Sequence, residues 1–153
     1  MQKFQFKKEI RASAQKVYET MLGLKEKTTY EYWTSAFNPT STYEGSWDKG
    51  SNILFVGVDE KGKRGGMASE IEEHQPARFI SIRHYGFVDG DTIITTGEQV
   101  EKWAGGHENY FYQENDGITT VTVELDTIAE YADYFNKIYP AALEKLKEVS
   151  ERE

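Results

Sequence analysis

The chain is 153 residues long, has no cysteine, carries a net charge of −8 and is 14% aromatic, with 10 tyrosines. That length suits one domain over residues 1–153, and a chain of this size buries roughly 68–70% of its unfolded surface without needing covalent staples. The missing cysteines exclude disulfides, thiolate metal sites and cysteine nucleophiles, and the acidic balance argues against nucleic acid or an anionic membrane as a partner.

The amino end, Met1 to Phe6, has no apolar run of the kind a signal peptide needs, and the longest apolar run, Ile53 to Val58, is too short to span a bilayer. A cytoplasmic location is the expectation. A first strand is expected from Lys3 to Arg11, where Phe4 and Phe6 alternate with polar neighbours. Ser13 suits the N-cap of a short helix with Val17, Met21 and Leu22 on its apolar face and Gly23 as its stop. A second short helix is read over Lys25 to Ala36, ended by Asn38-Pro39. Strands follow at Thr42–Trp47, Asn52–Val58, Gly66–His74 and Arg78–Tyr85, joined by short polar turns in an antiparallel meander.

The interval Gly86 to Gly106 breaks this rhythm. It offers no convincing strand, only a short helix capped by Thr96 and Gln99 and ending near Trp103. A connection of this length suits a lid or binding loop as well as surface decoration. The last hairpin runs from His107–Glu114 to Ile118–Leu125 around Asn115-Asp116-Gly117. A long amphipathic helix then fills Thr127 to Val149, with Thr127 and Glu130 as a capping box. Its stripe is aromatic at first (Tyr131, Phe135, Tyr139) and aliphatic later (Leu143, Leu146, Val149), so the second half suits a sealed core and the first half the wall of a pocket. Pro140, inside it, removes the bond to the Asn136 carbonyl and marks a bend or irregularity.

This order, together with Tyr43-Glu44-Gly45-Ser46-Trp47, the run Glu70 to Phe79, the Asn115-Asp116-Gly117 turn and the run Pro140 to Lys147, resembles the START-like (SRPBCC) superfamily, and within it the domains named for the activator of the heat-shock chaperone ATPase (AHSA-type). The resemblance covers nearly the whole chain and rests on the ordered set, no single motif being specific. It implies an α+β helix-grip fold: a curved antiparallel sheet of about six to seven strands around a long C-terminal helix, with two short helices after the first strand and a cavity between sheet and helix. Members commonly bind small apolar ligands there, and the superfamily also holds cyclases and aromatases. Fold alone does not choose among these.

Candidate cavity residues follow from alternation, density and the resemblance. Trp33, Phe37, Phe55, Trp103, Tyr131 and Phe135 are candidate apolar wall, each also suited to ordinary core. Ser69 is a candidate on the third strand of the meander. Counting back from the Asn115-Asp116-Gly117 turn, the resemblance places Tyr110 and Tyr112 inward, and Glu108 with them; a slip of one residue reverses this. Arg83 and Tyr85 share a face opposed to Ile80, Ile82 and His84, with bulk on both sides. An inward Arg83 needs a partner, for which Glu108 is the candidate, and could hold a ligand carboxylate; outward, it is a solvated sheet arginine. His107-Glu108 starts like a metalloprotease motif, but Phe111 stands where the second histidine belongs. No metal, cofactor or catalytic set is expected. The favoured function is binding of a small apolar or amphipathic ligand, with a chaperone-type interaction domain or a cyclase-like enzyme as alternatives. A sheet with bulk on both faces, as at Ile80 and Ile82, could hide one side in a homodimer.

Overall fold

The computed structural model describes residues 1–152. The chain runs β1 (Gln2–Ile10), α1 (Ala14–Leu22), α2 (Lys27–Thr34), β2 (Thr42–Gly45), β3 (Asn52–Val58), β4 (Arg64–Gln75), β5 (Phe79–Asp89), β6 (Thr92–Ile94), α3 (Glu98–Glu101), β7 (His107–Asn115), β8 (Ile118–Thr127), a single 3-10 turn (Ala129–Tyr131) and α4 (Ala132–Ser150). All strand pairs are antiparallel, in the order β1-β8-β7-β5-β4-β3-β2, with β6 added to β5. The helices α1, α2 and α4 pack together on one face of this sheet. This is the helix-grip fold.

Local chemistry accounts for most of these limits. The Ser13 hydroxyl accepts from the Lys16 amide and caps α1. At the other end Gly23 adopts φ 67°, and the amides of Gly23 and Leu24 return to the carbonyls of Thr20 and Glu19, a Schellman stop that a residue with a side chain adopts at a cost. In the β7–β8 turn Asp116 and Gly117 both have positive φ, the backbone that matches the twist of a tight hairpin.

Three expectations are corrected. The interval after Gly86 contains a strand: β5 continues to Asp89, turns at Gly90, and returns as β6, so the sheet has eight strands rather than six or seven. The physical reason is that β7 pairs with β5 only over Phe79–Arg83, which leaves the rest of that edge of β5 open. The Gly105–Gly106 backbone satisfies His84, and β6 satisfies Phe87–Asp89. Gly86 permits this return, because a Cβ there would lie 2.6 Å from the Ile94 carbonyl oxygen. The helix α3 starts after Gly97 with no side-chain cap, so Thr96 does not cap it. The capping box at Thr127 and Glu130 does not form either: Thr127 is the last residue of β8, opposite Gln2, and α4 begins five residues later than expected, at Ala132. Strand pairing outcompetes a local cap when a partner edge is present.

The aliphatic half of α4 seals the core, with Ala142, Leu143 and Leu146 at 0–1% exposure, whereas Tyr131 and Tyr134 stand 40% and 46% exposed. Ile80 and Ile82 are fully buried on the helix side of the sheet, and Phe79 and Phe111 pack together on the other side, 4.9 Å between centroids. The opposite face carries Lys3 paired with Asp126, Lys49 with Glu73 and Arg83 with Glu72. Among the described residues no helix is long and apolar enough to cross a membrane.

Candidate functional site

Between the sheet and the aromatic half of α4 lies a cavity of about 960 Å³, open to solvent at one end. Trp33, Phe37, Phe55, Trp103, Tyr131 and Phe135 line it, together with Glu108 and Tyr110. Four candidates lie elsewhere. Arg83 points to the outer face, where its Nε sits 3.3 Å from Glu72, so the Arg83–Glu108 pair does not form. Tyr85 shares that face, with Arg83 over its ring, and its hydroxyl reaches Asn52. Tyr112 points inward but into the sealed core, edge-on to Tyr18 with its hydroxyl against the Met21 sulfur. Ser69 is fully buried, one layer behind the cavity wall.

The polar end of the cavity is built on three strands and one helix. Ser69 on β4 is paired directly with His84 on β5, and the Ser69 hydroxyl lies 2.5 Å from Nδ1 of His84. The other imidazole nitrogen, Nε2, is 3.0 Å from Oε1 of Glu108 on β7, which stands opposite Ile82. The second carboxylate oxygen accepts from the Tyr139 hydroxyl on α4. Tyr139 is clamped for this: Phe6 stacks on its ring at 4.9 Å, Phe37 meets it edge-on at 5.1 Å, and Phe135 lies beyond at 6.3 Å. Tyr110, on β7 two residues beyond Glu108, lines the same end of the cavity.

Counting protons assigns the directions of these bonds. With the imidazole proton on Nε2, Ser69 donates to His84 and His84 donates to Glu108. The single proton of the Tyr139 hydroxyl goes to Glu108. Two arms therefore converge on one carboxylate. With both ring nitrogens protonated instead, the hydroxyl proton of Ser69 would be buried with no acceptor among the described residues. Burial first, and then the Glu108 charge, hold the Tyr110 and Tyr139 phenols well above their ordinary range, so both keep their protons and remain donors.

His84 and Tyr139 are the site residues that alternation did not single out. Tyr139 was visible on the helix stripe, but nothing local shows that its hydroxyl ends on a carboxylate 31 residues away in sequence. His84 was visible as the residue continuing the Ile80, Ile82 face. The usable signal was charge: a face of two isoleucines and a histidine is a better inner face than one holding an arginine.

At the mouth, Lys63 is paired with Asp89 and Arg64 with Glu44, while Lys102 is exposed. Among the described residues no group of three or more His, Asp or Glu side chains could hold a metal ion.

No family model matches this chain, and no curated protein does. Solved structures do. The Aha1 dimer of Colwellia psychrerythraea superimposes with a TM-score of 0.70 at 19% identity, covering 99% of this chain and 97% of that one. A protein of Arthrobacter aurescens gives 0.71 at 15% identity, covering 97% and 85%. A protein of Nitrosomonas europaea gives 0.72 at 13% identity, covering 97% and 94%. These likenesses, which include an AHSA-type structure, establish the START-like fold across nearly the whole chain.

Proposed function

We propose that this protein binds a small, mainly apolar ligand between its sheet and α4. One observation carries the reading: the fold leaves a cavity of about 960 Å³, walled by aromatic side chains, where the same helix further on is packed solid. That volume is at the upper end of the roughly 300–1,000 Å³ typical of small-molecule sites, and such sites combine apolar walls with a few placed polar groups. Trp33, Phe37, Phe55 and Phe135 supply the apolar wall, Tyr131 and Trp103 flank the mouth, and Glu108 with Tyr110 supplies the polar end.

Nile red, a neutral apolar dye, tests the reading. It is expected to bind with a fluorescence increase and to raise Tm by mass action. Met67 lines the cavity from β4, paired with Phe55 on β3. A Met67→Trp variant fills the space with an indole and is expected to weaken the dye at least about tenfold, or about 1.4 kcal/mol, with an unchanged far-ultraviolet spectrum. Unchanged dye affinity in that variant would place binding outside the cavity. The homodimer expectation is tested by sedimentation velocity; one monomeric species at all concentrations removes it.

A further inference from the structure

The geometry points to a ligand that ends in a hydrogen-bond donor, a hydrophobic amine before all others, and to a site that turns carboxylates away. The inference rests on the ligand-binding reading above and adds the chemical class. Three observations carry it. The first is polarity. The assigned protons of the hydrogen-bonded group at the inner end of the cavity run toward Glu108, from Ser69 through His84 at 2.5 and 3.0 Å and from Tyr139. No proton of His84 or Tyr139 remains to be given to a ligand. The second is spare capacity. A carboxylate offers about four lone-pair sites, and among the described residues Glu108 accepts only from His84 and Tyr139 while lining the cavity. At Glu108 the wall presents acceptor capacity, and the two side chains that reach this carboxylate have already given it their protons.

The third observation is charge. With the ring proton on Nε2 the His84–Glu108 pair carries one net negative charge inside an aromatic enclosure, where screening is weak. Tyr30, another phenol of the wall, feels the same field: burial and then the Glu108 charge raise its pKa. An anionic ligand reaching that phenol would have to sit beside Glu108. Of the cations that line the cavity, Lys63 and Arg64 already hold Asp89 and Glu44 at the mouth, and Lys102 is exposed at its rim, where water screens its charge. An ammonium group, by contrast, completes the carboxylate and is faced by aromatic rings that favour a cation.

Four probes sharing one apolar body test this: methylnaphthalene, naphthylmethylamine, naphthylmethanol and naphthoate, measured by titration calorimetry on the full chain. Naphthylmethylamine is expected to bind at least about tenfold tighter than naphthoate, with naphthylmethanol between them, a hydrogen bond to a charged group being worth roughly that much or more. Glu108→Gln is expected to remove most of the amine's advantage while leaving methylnaphthalene within about twofold of its original affinity. Tyr139→Phe keeps the ring stack and frees one more acceptor site, so the amine's advantage persists there, which covers the case in which Glu108→Gln does not fold. Methylnaphthalene bound but naphthoate equal to or tighter than the amine would overturn the donor selectivity and leave the binding reading standing. No binding of any probe, methylnaphthalene included, would overturn both.

Discussion

Trp33→Ala will cost about 4 kcal/mol of stability, within the roughly 3–5 kcal/mol range for deleting a large buried aromatic side chain. Trp33 is 1% exposed although it borders the cavity. Its indole meets Tyr30, Phe37 and Tyr110 edge-on, with centroids 5.8, 6.5 and 6.3 Å away, and its Nε1 donates to the Met21 carbonyl at 2.8 Å. That single side chain thus ties α2 to the C-terminal turn of α1, to β7 and to the aromatic cluster under α4. Its removal orphans a buried carbonyl and extends the cavity into the sealed half of the core. At this chain length the expected fall in Tm is about 10 °C, from about 2–4 °C per kcal/mol. Trp33→Phe keeps a ring and loses the hydrogen bond, so its cost is expected at about 1–2 kcal/mol. Denaturant titration of both variants checks the pair. A loss below about 1 kcal/mol for Trp33→Ala would mean that the helices do not depend on this residue.

Alkaline unfolding is the second large effect. Tyr30, Tyr110, Tyr112 and Tyr139 are four of the ten tyrosines, and burial raises the pKa of each well above the ordinary phenol value of 10.0. In the unfolded chain the same phenols ionise near that ordinary value. Their contribution is therefore complete below about pH 10 and is lost as pH rises above it, because the unfolded state then sheds protons that the folded state keeps. Each group costs up to about 1.4 kcal/mol per pH unit, so all of them together remove about 5 kcal/mol by about pH 11. That is comparable with the whole stability of a typical domain. Tyrosinate absorbance is expected to rise in two stages, first the accessible phenols with the fold intact, then the buried ones in step with loss of circular dichroism. Replacing Tyr110 and Tyr112 with Phe should roughly halve the pH slope. A single-stage titration completed while the dichroism stays native would show that these four hydroxyls reach solvent without unfolding.

Much of the architecture was legible in order. The Ser13 cap, the Gly23 stop, the Asn52–Val58 strand and the Asn115-Asp116-Gly117 hairpin lie where their local chemistry puts them, because caps and turns are decided by contacts within a few residues. The change along α4 from aromatic to aliphatic also survives as the boundary between cavity and sealed core. The helix start did not survive. Thr127 and Glu130 spell a capping box, but residues up to Thr127 pair with β1, whose partner edge lies more than a hundred residues earlier.

The polar centre divides along the same line. By itself the sequence determined which residues alternate: Glu108 with Tyr110 and Tyr112, and Arg83 against His84. A strand has a period of two, so such a pattern leaves one binary choice open, and bulk on both faces of β5 concealed it. The tertiary structure made that choice through register. Ile82 stands opposite Glu108 and Ser69 beside His84, so the histidine rather than the arginine meets the carboxylate. Arg83 pairs with Glu72 on the outer face, where its charge keeps its water. Nothing local could anticipate Tyr139 completing the group from α4, since hydrogen bonds between four separate elements exist only after sheet and helix have closed on each other.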